Sequence, residues 1–285
     1  MDFTKMQGAS NDFVMVDARK IARDWSQLAK AICDRHRGVG CDSLIILLPS
    51  KKADFKMRIF NADGSEAETC GNGLRCLALY ILEKGLINPN INEFNIETKA
   101  IVNQIKLERK SSSIVRIQVS MGQPKLSAAE IPTNLKPGKD VIDTNGVLSY
   151  KVNLNNTDMT LNLVSMGNPH AVHFTHEPVA QFPLSVIGPQ VENLPVFPHR
   201  INFEVAQVID SNHIEARVWE RGVGETLACG SGACAITVAA KLLGYANSKV
   251  DIKLPGGVLN VEWDGNREIM LGGPAETVFE GKWPD

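Results

Sequence analysis

The stretch Asn61–Cys76, NADGSEAETCGNGLRC, decides how the rest of the chain is read. It follows an alternating run, Phe55, Met57 and Ile59, and so reads as a strand end, a turn and the start of a helix. The pattern returns at Glu220–Ala235, ERGVGETLACGSGACA. Without a gap, Arg58, Phe60, Glu66, Cys70, Gly71 and Gly73 correspond to Arg217, Trp219, Glu225, Cys229, Gly230 and Gly232, each pair 159 apart (229 − 70). The chain is therefore two copies of one unit, and each copy presents a cysteine where a helix begins.

Outward from the cysteines, the spacing predicts helices over about Gly73–Lys84, closed by Gly85, and about Ser231–Leu243, stopped by Gly244. Both are apolar almost all round, and such helices are normally enclosed by other structure. Short alternating runs surround them, among them Phe94–Glu97, Ile101–Glu108, Ile114–Met121, Thr160–Met166, Ile201–Ile209, His213–Glu220 and Val250–Leu254. The expected class is α+β: two pseudo-symmetric β-rich domains, each a sheet wrapped around a central buried helix, with the active site in the cleft between them. The boundary falls near Gln123–Pro124, which gives an N-terminal half of residues 1–122, onto which 270–285 can pack back, and a C-terminal half of residues 123–269. Asp24 caps a further helix expected to reach about His36. At that boundary a strand gives way to a polar, Pro-containing stretch up to Gly146, and a second Pro-rich stretch, Pro178–Pro198, reads as a surface excursion.

The composition narrows the function. With 285 residues, 44% of them hydrophobic, the chain can bury a substantial core. A net charge of −2 and the lack of a basic block argue against nucleic acid or an anionic membrane as partner. The start, MDFTKMQG, lacks the charged and apolar regions of a signal peptide, and the run Leu44–Leu48 is far too short to span a bilayer. A cytoplasmic protein acting on a small molecule is the expectation. The six cysteines show neither CxxC nor paired HxxxH, so no metal site is expected, and nothing marks a cofactor site. For Cys33, Cys41, Cys76 and Cys234 the default reading is a small buried hydrophobe.

Cys70 and Cys229 ask for more. A helix start leaves backbone N–H groups unpaired and carries partial positive charge. Both favour a thiolate, so each cysteine is expected to have a lowered pKa and to serve as base or nucleophile. The flanking glycines are expected to let backbone approach a ligand. Either cysteine alone is more simply a buried residue at a tight turn, but two in matched positions favour catalysis. One acid–base group per half suits inversion of a tetrahedral carbon: one thiolate takes a proton and the opposite thiol returns one. Helix N-termini can hold the adjacent carboxylate as its charge grows.

At these residues the chain resembles the diaminopimelate epimerase family. The resemblance runs through SNDF (Ser10–Phe13), GVGCD (Gly38–Asp42), FNADGSE (Phe60–Glu66), CGNG (Cys70–Gly73), GNPH (Gly167–His170), IN (Ile201–Asn202), ERGVGET (Glu220–Thr226), ACGSGACA (Ala228–Ala235) and LPGG (Leu254–Gly257). It implies a pyridoxal-independent, metal-free isomerase that interconverts LL- and meso-diaminopimelate, for lysine and peptidoglycan precursors, and a homodimer. It implies Cys70 and Cys229 as the acid–bases and His170 and Glu220 as residues that tune them. The substrate is implied to bind at Asn11, Ser43, Asn61, Gly71, Asn72, Asn168, Asn202, Glu220, Arg221, Gly230 and Ser231, with Arg221 a fork for the distal carboxylate. Without the motifs, an Asn beside Gly or Pro is a turn residue, a His–Glu pair structural, and the arginine a surface charge. The chain departs from the family at Ala9–Ser10, where Leu-Gly is frequent, at Ser231 for Thr, and at Ser43, where Gln is frequent and a serine reaches substrate only through water.

Three rival readings remain open at this point. A proline or hydroxyproline racemase shares the two-cysteine logic but gives Arg221 and the asparagines no task. A thiol–disulfide oxidoreductase usually carries CxxC. A non-catalytic binding protein needs neither cysteine.

Overall fold

The structure is a computed structural model and describes residues 1–110, 113–136 and 138–284. Position 137 of the polar stretch before Gly146 lies outside them. The chain divides into two compact units, Met1–Ser120 with Gly272–Asp285, and Met121–Leu271.

In the first unit the elements run β1 (Asp2–Gly8), β2 (Asn11–Asp17), α1 (Trp25–Ile32), β3 (Ser43–Leu48), β4 (Phe55–Asn61), β5 (Glu66–Ala67), α2 (Gly71–Glu83), β6 (Glu93–Glu97), β7 (Val102–Lys110) and β8 (Ser113–Ser120). In the second they run β9 (Val141–Thr144), β10 (Val147–Leu154), β11 (Thr157–Ser165), β12 (Pro169–Phe174), α3 (Leu184–Glu192), β13 (Asn202–Asp210), β14 (His213–Glu220), β15 (Gly224–Thr226), α4 (Gly230–Leu242), β16 (Lys249–Leu254) and β17 (Gly257–Glu262). The chain ends through β18 (Met270–Gly273) and β19 (Glu276–Lys282), and β19 returns to pair antiparallel with β1 of the first unit.

The two units share one topology. In the first, β1–β2 is antiparallel, β2–β3 parallel, β3–β4 antiparallel, β4–β6 parallel and β6–β7 antiparallel. In the second, β11–β12, β12–β13, β13–β14, β14–β16 and β16–β17 repeat that sequence of senses. Helices α2 and α4 cover matching residues, 71–83 and 230–242, so the sequence offset of 159 is also the structural one.

Each unit closes over its second helix. Leu74, Cys76, Leu77, Ala78 and Ile81 of α2 are fully buried, as are Ala233, Cys234, Ala235, Ile236, Val238, Ala239 and Ala240 of α4. Leu86 N–H returns to the carbonyl of Ile81, and Gly85 takes the left-handed conformation that ends α2. A second layer packs Trp25, Leu28, Ala29 and Ile32 of α1 against Val14, Val16, Leu44 and Ile46.

Two expectations need correction. Helix α1 stops at Ile32, short of His36, because the Asp34 carboxylate takes the N–H groups of His36 and Arg37 and offers the backbone a turn instead. Pro178–Pro198 is not a surface excursion: it carries α3, which buries Leu184, Ile187 and Val191 under β13 and β14. Pro189 lies inside that helix and obscured it in the sequence. No helix among the described residues is long and apolar enough to cross a membrane.

Candidate active site

Cys70 and Cys229 are the N-cap residues of α2 and α4. Both hold extended backbone (φ −152°, ψ 114° and φ −123°, ψ 114°), and each sulfur accepts the N–H three residues on, Gly73 and Gly232, at 3.4 Å. Neither helix has an acidic residue in its first turn, so no carboxylate there competes for the terminal N–H groups. The second glycine of each motif faces inward. A Cβ on Gly73 would lie 2.6 Å from Ile45 Cδ1, and one on Gly232 would lie 2.8 Å from Glu204 Oε1. The second glycine of each motif therefore lets the helix settle on the strand behind it.

In the first unit, Asn11 gathers the site. Its Oδ1 lies 3.7 Å from Cys70 Sγ, within reach of the thiol proton, and 3.4 Å from Asn72 Nδ2, a donor. Its own Nδ2 donates to Asp42 Oδ2 at 2.6 Å, and that fixes which way the amide points. Asp42 in turn accepts from Arg35 at 2.7 Å and from the Asp12 N–H at 3.1 Å. Lys5 bridges Asp12 and the Gly40 carbonyl. Burial alone would push the Asp12 carboxyl up, yet its hydrogen bonds and charge contacts with Arg35 and Lys5 bring it down to about 2. From the other side the fully buried Arg75 donates to Asn72 Oδ1 at 2.9 Å and to the Gly71 carbonyl at 3.4 Å, so the first turn of α2 is held from within. Ser43 Oγ donates to Asn61 Oδ1 at 3.5 Å, and Asn61 Nδ2 donates to Ser65 Oγ at 3.0 Å.

In the second unit, Cys229 is buried (5% exposed) and its Sγ lies 3.5 Å from Ser231 Oγ. Asn168 Nδ2 donates to that hydroxyl at 3.2 Å, and Asn168 Oδ1 meets His170 Nε2 at 3.1 Å. Burial pushes the Cys229 thiol well above its ordinary value; the charges of Glu220 and Glu204 push the same way, and the Ser231 hydroxyl and Gly232 N–H pull back. The expected lowered pKa is corrected here: at this helix start burial and two carboxylates outweigh the backbone dipoles. Burial also pushes Glu220 up, against a 2.5 Å hydrogen bond from Thr226. Asn202 Nδ2 donates to the Pro169 carbonyl at 2.8 Å, and its Oδ1 accepts the Arg221 N–H at 2.9 Å. Arg221 spends Nη1 on the His199 carbonyl at 3.0 Å.

Thus Asn11, Ser43, Asn61, Cys70, Gly71 and Asn72 belong to the first unit, and Asn168, His170, Asn202, Glu220, Arg221, Cys229, Gly230 and Ser231 to the second. Sequence reasoning assigned no role to Asp42, Arg75 or Glu204, three charged residues that orient the others. The remaining cysteines are buried; Cys76 is pushed up to about 12 by burial. Cys33 and Cys41 pack sulfur to sulfur at 3.2 Å. Among the described residues no group of three or more His, Cys, Asp or Glu could hold a metal ion.

A family model described as Diaminopimelate epimerase matches residues 3–127 and 162–278. The chain belongs to the diaminopimelate epimerase family. It is 43% identical over 284 residues to the diaminopimelate epimerase of Acetivibrio thermocellus, covering 99% of this chain and 98% of that one. It is 43% identical over 290 residues to that of Pelotomaculum thermopropionicum, covering 100% and 99%. The fold extends beyond the family. A crystal structure of a hydroxyproline epimerase from Agrobacterium vitis, with bound trans-4-OH-L-proline, superposes with a TM-score of 0.69 at 14% identity, covering 99% of this chain and 91% of that one. Both cysteine segments lie within the residues that the family model matches.

Proposed function

We propose that the protein interconverts LL- and meso-diaminopimelate, with Cys70 and Cys229 as the paired acid and base and no cofactor. The observation that carries this reading is the matched pair of cysteine N-caps in a chain of this family. In each turnover one thiolate takes the α-proton and forms a thiol. The electron pair left on the α-carbon spreads into the adjacent carboxylate. The other thiol then gives its proton to the opposite face and becomes a thiolate. The N–H groups of Gly71, Asn72, Gly230 and Ser231, in the first turns of α2 and α4, suit a carboxylate whose charge grows along that path.

The remaining residues divide the substrate between them. Asn11, Asn61, Asn168, Asn202 and Arg221 bind its amino and carboxyl groups, Ser43 through water. Glu220 and His170 tune Cys229. Burial and the neighbouring carboxylates raise the Cys229 thiol, and the α-ammonium group of the substrate works the other way, favouring a thiolate beside it.

The deciding experiment is incubation with LL-diaminopimelate in the absence of added cofactor, followed by stereoisomer analysis. Formation of the meso isomer is expected. Its absence, with a known epimerase active under the same conditions, would overturn the reading.

A further inference from the structure

The two units differ at a buried place beneath the cysteine-bearing helices. Under the offset of 159, Ile45 of β3 corresponds to Glu204 of β13 (204 − 45), and strand pairing agrees: Ile45 lies opposite Ile59, Glu204 opposite Val218. Next to them, Phe13 of β2 pairs with Ser43 as His170 of β12 pairs with Asn202. So the first unit sets Phe13 and Ile45 beneath Gly73 at the start of α2, with Phe13 Cε1 3.6 Å and Ile45 Cδ1 2.6 Å from where its Cβ would be. The second sets His170 and Glu204 beneath α4.

An apolar pair has become an ionisable one in the driest part of the unit. The His170 and Glu204 side chains are both 0% exposed, and Nδ1 lies 2.7 Å from Oε1. Glu204 Oε2 has no hydrogen-bond partner among the described residues. Such a pair usually lowers stability relative to the apolar one it replaces, so its retention calls for a task.

Hydrogen-bond direction supplies the task. Both ring nitrogens of His170 face oxygens, Nδ1 the Glu204 carboxylate and Nε2 the Asn168 Oδ1 at 3.1 Å. A ring that satisfies both must donate from both. Asn168 then presents Nδ2 to Ser231 Oγ at 3.2 Å. Having accepted there, Ser231 has its own O–H left for Cys229 Sγ at 3.5 Å. We propose that Glu204 is a positioning residue that keeps His170 doubly protonated and so aims a chain of donors, His170 to Asn168 to Ser231, at the sulfur of Cys229.

A neutral group at 204 reverses the chain. With Nε2 an acceptor, Asn168 must turn its NH₂ to His170 and its oxygen to Ser231, and the hydroxyl proton leaves the sulfur. The groups that act on Cys229 are Glu220 from β14, Glu204 from β13, and Ser231 with the Gly232 N–H from α4, and His170 from β12 acts on Glu220.

The proposal rests on Cys229 being one of the two acid–bases, but its test reads the pair without turnover. In protein carrying ¹⁵N-labelled histidine, His170 should show protons on both ring nitrogens at neutral pH, the signals assigned by their loss in His170→Asn. In a Cys70→Ser background, Glu204→Gln should move the Cys229 titration, followed by thiolate absorbance, to higher pH. The direction discriminates: if Glu204 were a lone carboxylate beside a neutral ring, deleting its charge would move that titration down. Where Cys229 serves as base, Glu204→Gln should lower kcat/KM roughly tenfold to a hundredfold in otherwise wild-type protein. The double variant H170F/E204I, which copies the apolar pair of the first unit, should match or exceed the parent in thermal stability and still lose that activity. A single ring proton in the wild type, or a downward shift in E204Q, overturns the proposal even if epimerisation is observed.

Discussion

Arg58 grips Glu66 through two parallel hydrogen bonds, Nε to Oε1 at 2.7 Å and Nη2 to Oε2 at 2.9 Å. Arg217 holds Glu225 in the same way, at 2.8 and 3.0 Å. In each unit the pair ties the strand before the cysteine to the short strand that leads into it. The surroundings differ. Arg58 lies over the Phe60 ring, 4.8 Å from its centroid, whereas Arg217 Nη1 also donates to the carbonyls of Val179 and Phe182, both at 2.9 Å. Lysine keeps the charge but loses the fork. Arg58→Lys should therefore cost about 1 kcal/mol and Arg217→Lys about 2–3 kcal/mol, because the latter also leaves two carbonyls short of a donor. Urea unfolding of the two variants measures the difference; equal costs would show that the 179–182 turn does not depend on Arg217.

Glu220 pits stability against function. Its folded-state pKa is raised by burial, so the folded chain binds that proton more tightly than the unfolded chain. The contribution is fully present below the ordinary carboxylate range and is lost as pH rises through the raised value. Glu220→Gln keeps an acceptor for Thr226 and removes the dependence. The variant should gain thermal stability relative to the parent on going from about pH 4 to about pH 8, while its epimerase activity falls. A stability difference that does not change with pH would show that Glu220 carries no ionisation penalty.

How far the sequence led depended on whether a feature repeats. The cysteine caps, both buried helices and the sheet around each were legible, because Cys70 and Cys229 sit in one register and strand alternation is a local signal. Helix α3 was hidden by Pro189, which local propensity counts as a breaker while tertiary burial of Leu184, Ile187 and Val191 overrides it. Glu204 was hidden for another reason: in an alternating strand a single glutamate reads as solvent-facing. The signal that could have revealed it was the break in the repeat, a glutamate where the first copy has Ile45. The raised pKa of Cys229 was illegible too, since it depends on burial of the sulfur and on carboxylates brought from β13 and β14 to the start of α4.

The turn between β1 and β2 offers a local test. Gly8 pairs with Asn11, so Ala9 and Ser10 form a two-residue turn, and both hold positive φ, 53° and 64°. Such turns favour glycine, and a residue with a Cβ pays roughly 1–2 kcal/mol in that region. Ser10→Gly should raise the melting temperature, by roughly 2–4 °C for a net gain of about 1 kcal/mol. A lower melting temperature would mean that the Ser10 side chain contributes more than its backbone costs.

The paired-cysteine mechanism makes the most demanding prediction. If one sulfur serves each face of the α-carbon, the incoming proton comes from a thiol that exchanges with solvent. Reaction in D₂O should therefore place one deuterium on the inverted carbon. Cys70→Ala and Cys229→Ala should each abolish inversion, because one face then lacks its acid or base. They should not be equivalent. Each retains at most a slow α-hydrogen exchange, without inversion, and only with the stereoisomer whose C–H points at the surviving sulfur. The stereoisomer that exchanges should be opposite in the two variants, and combining them should remove exchange, since a positioned acid or base contributes roughly 10²–10⁴-fold in rate. Chiral separation with mass spectrometry reads inversion and deuterium content together. If either single variant still inverts at close to the parent rate, or if both exchange the same stereoisomer, then Cys70 and Cys229 do not divide the two faces between them.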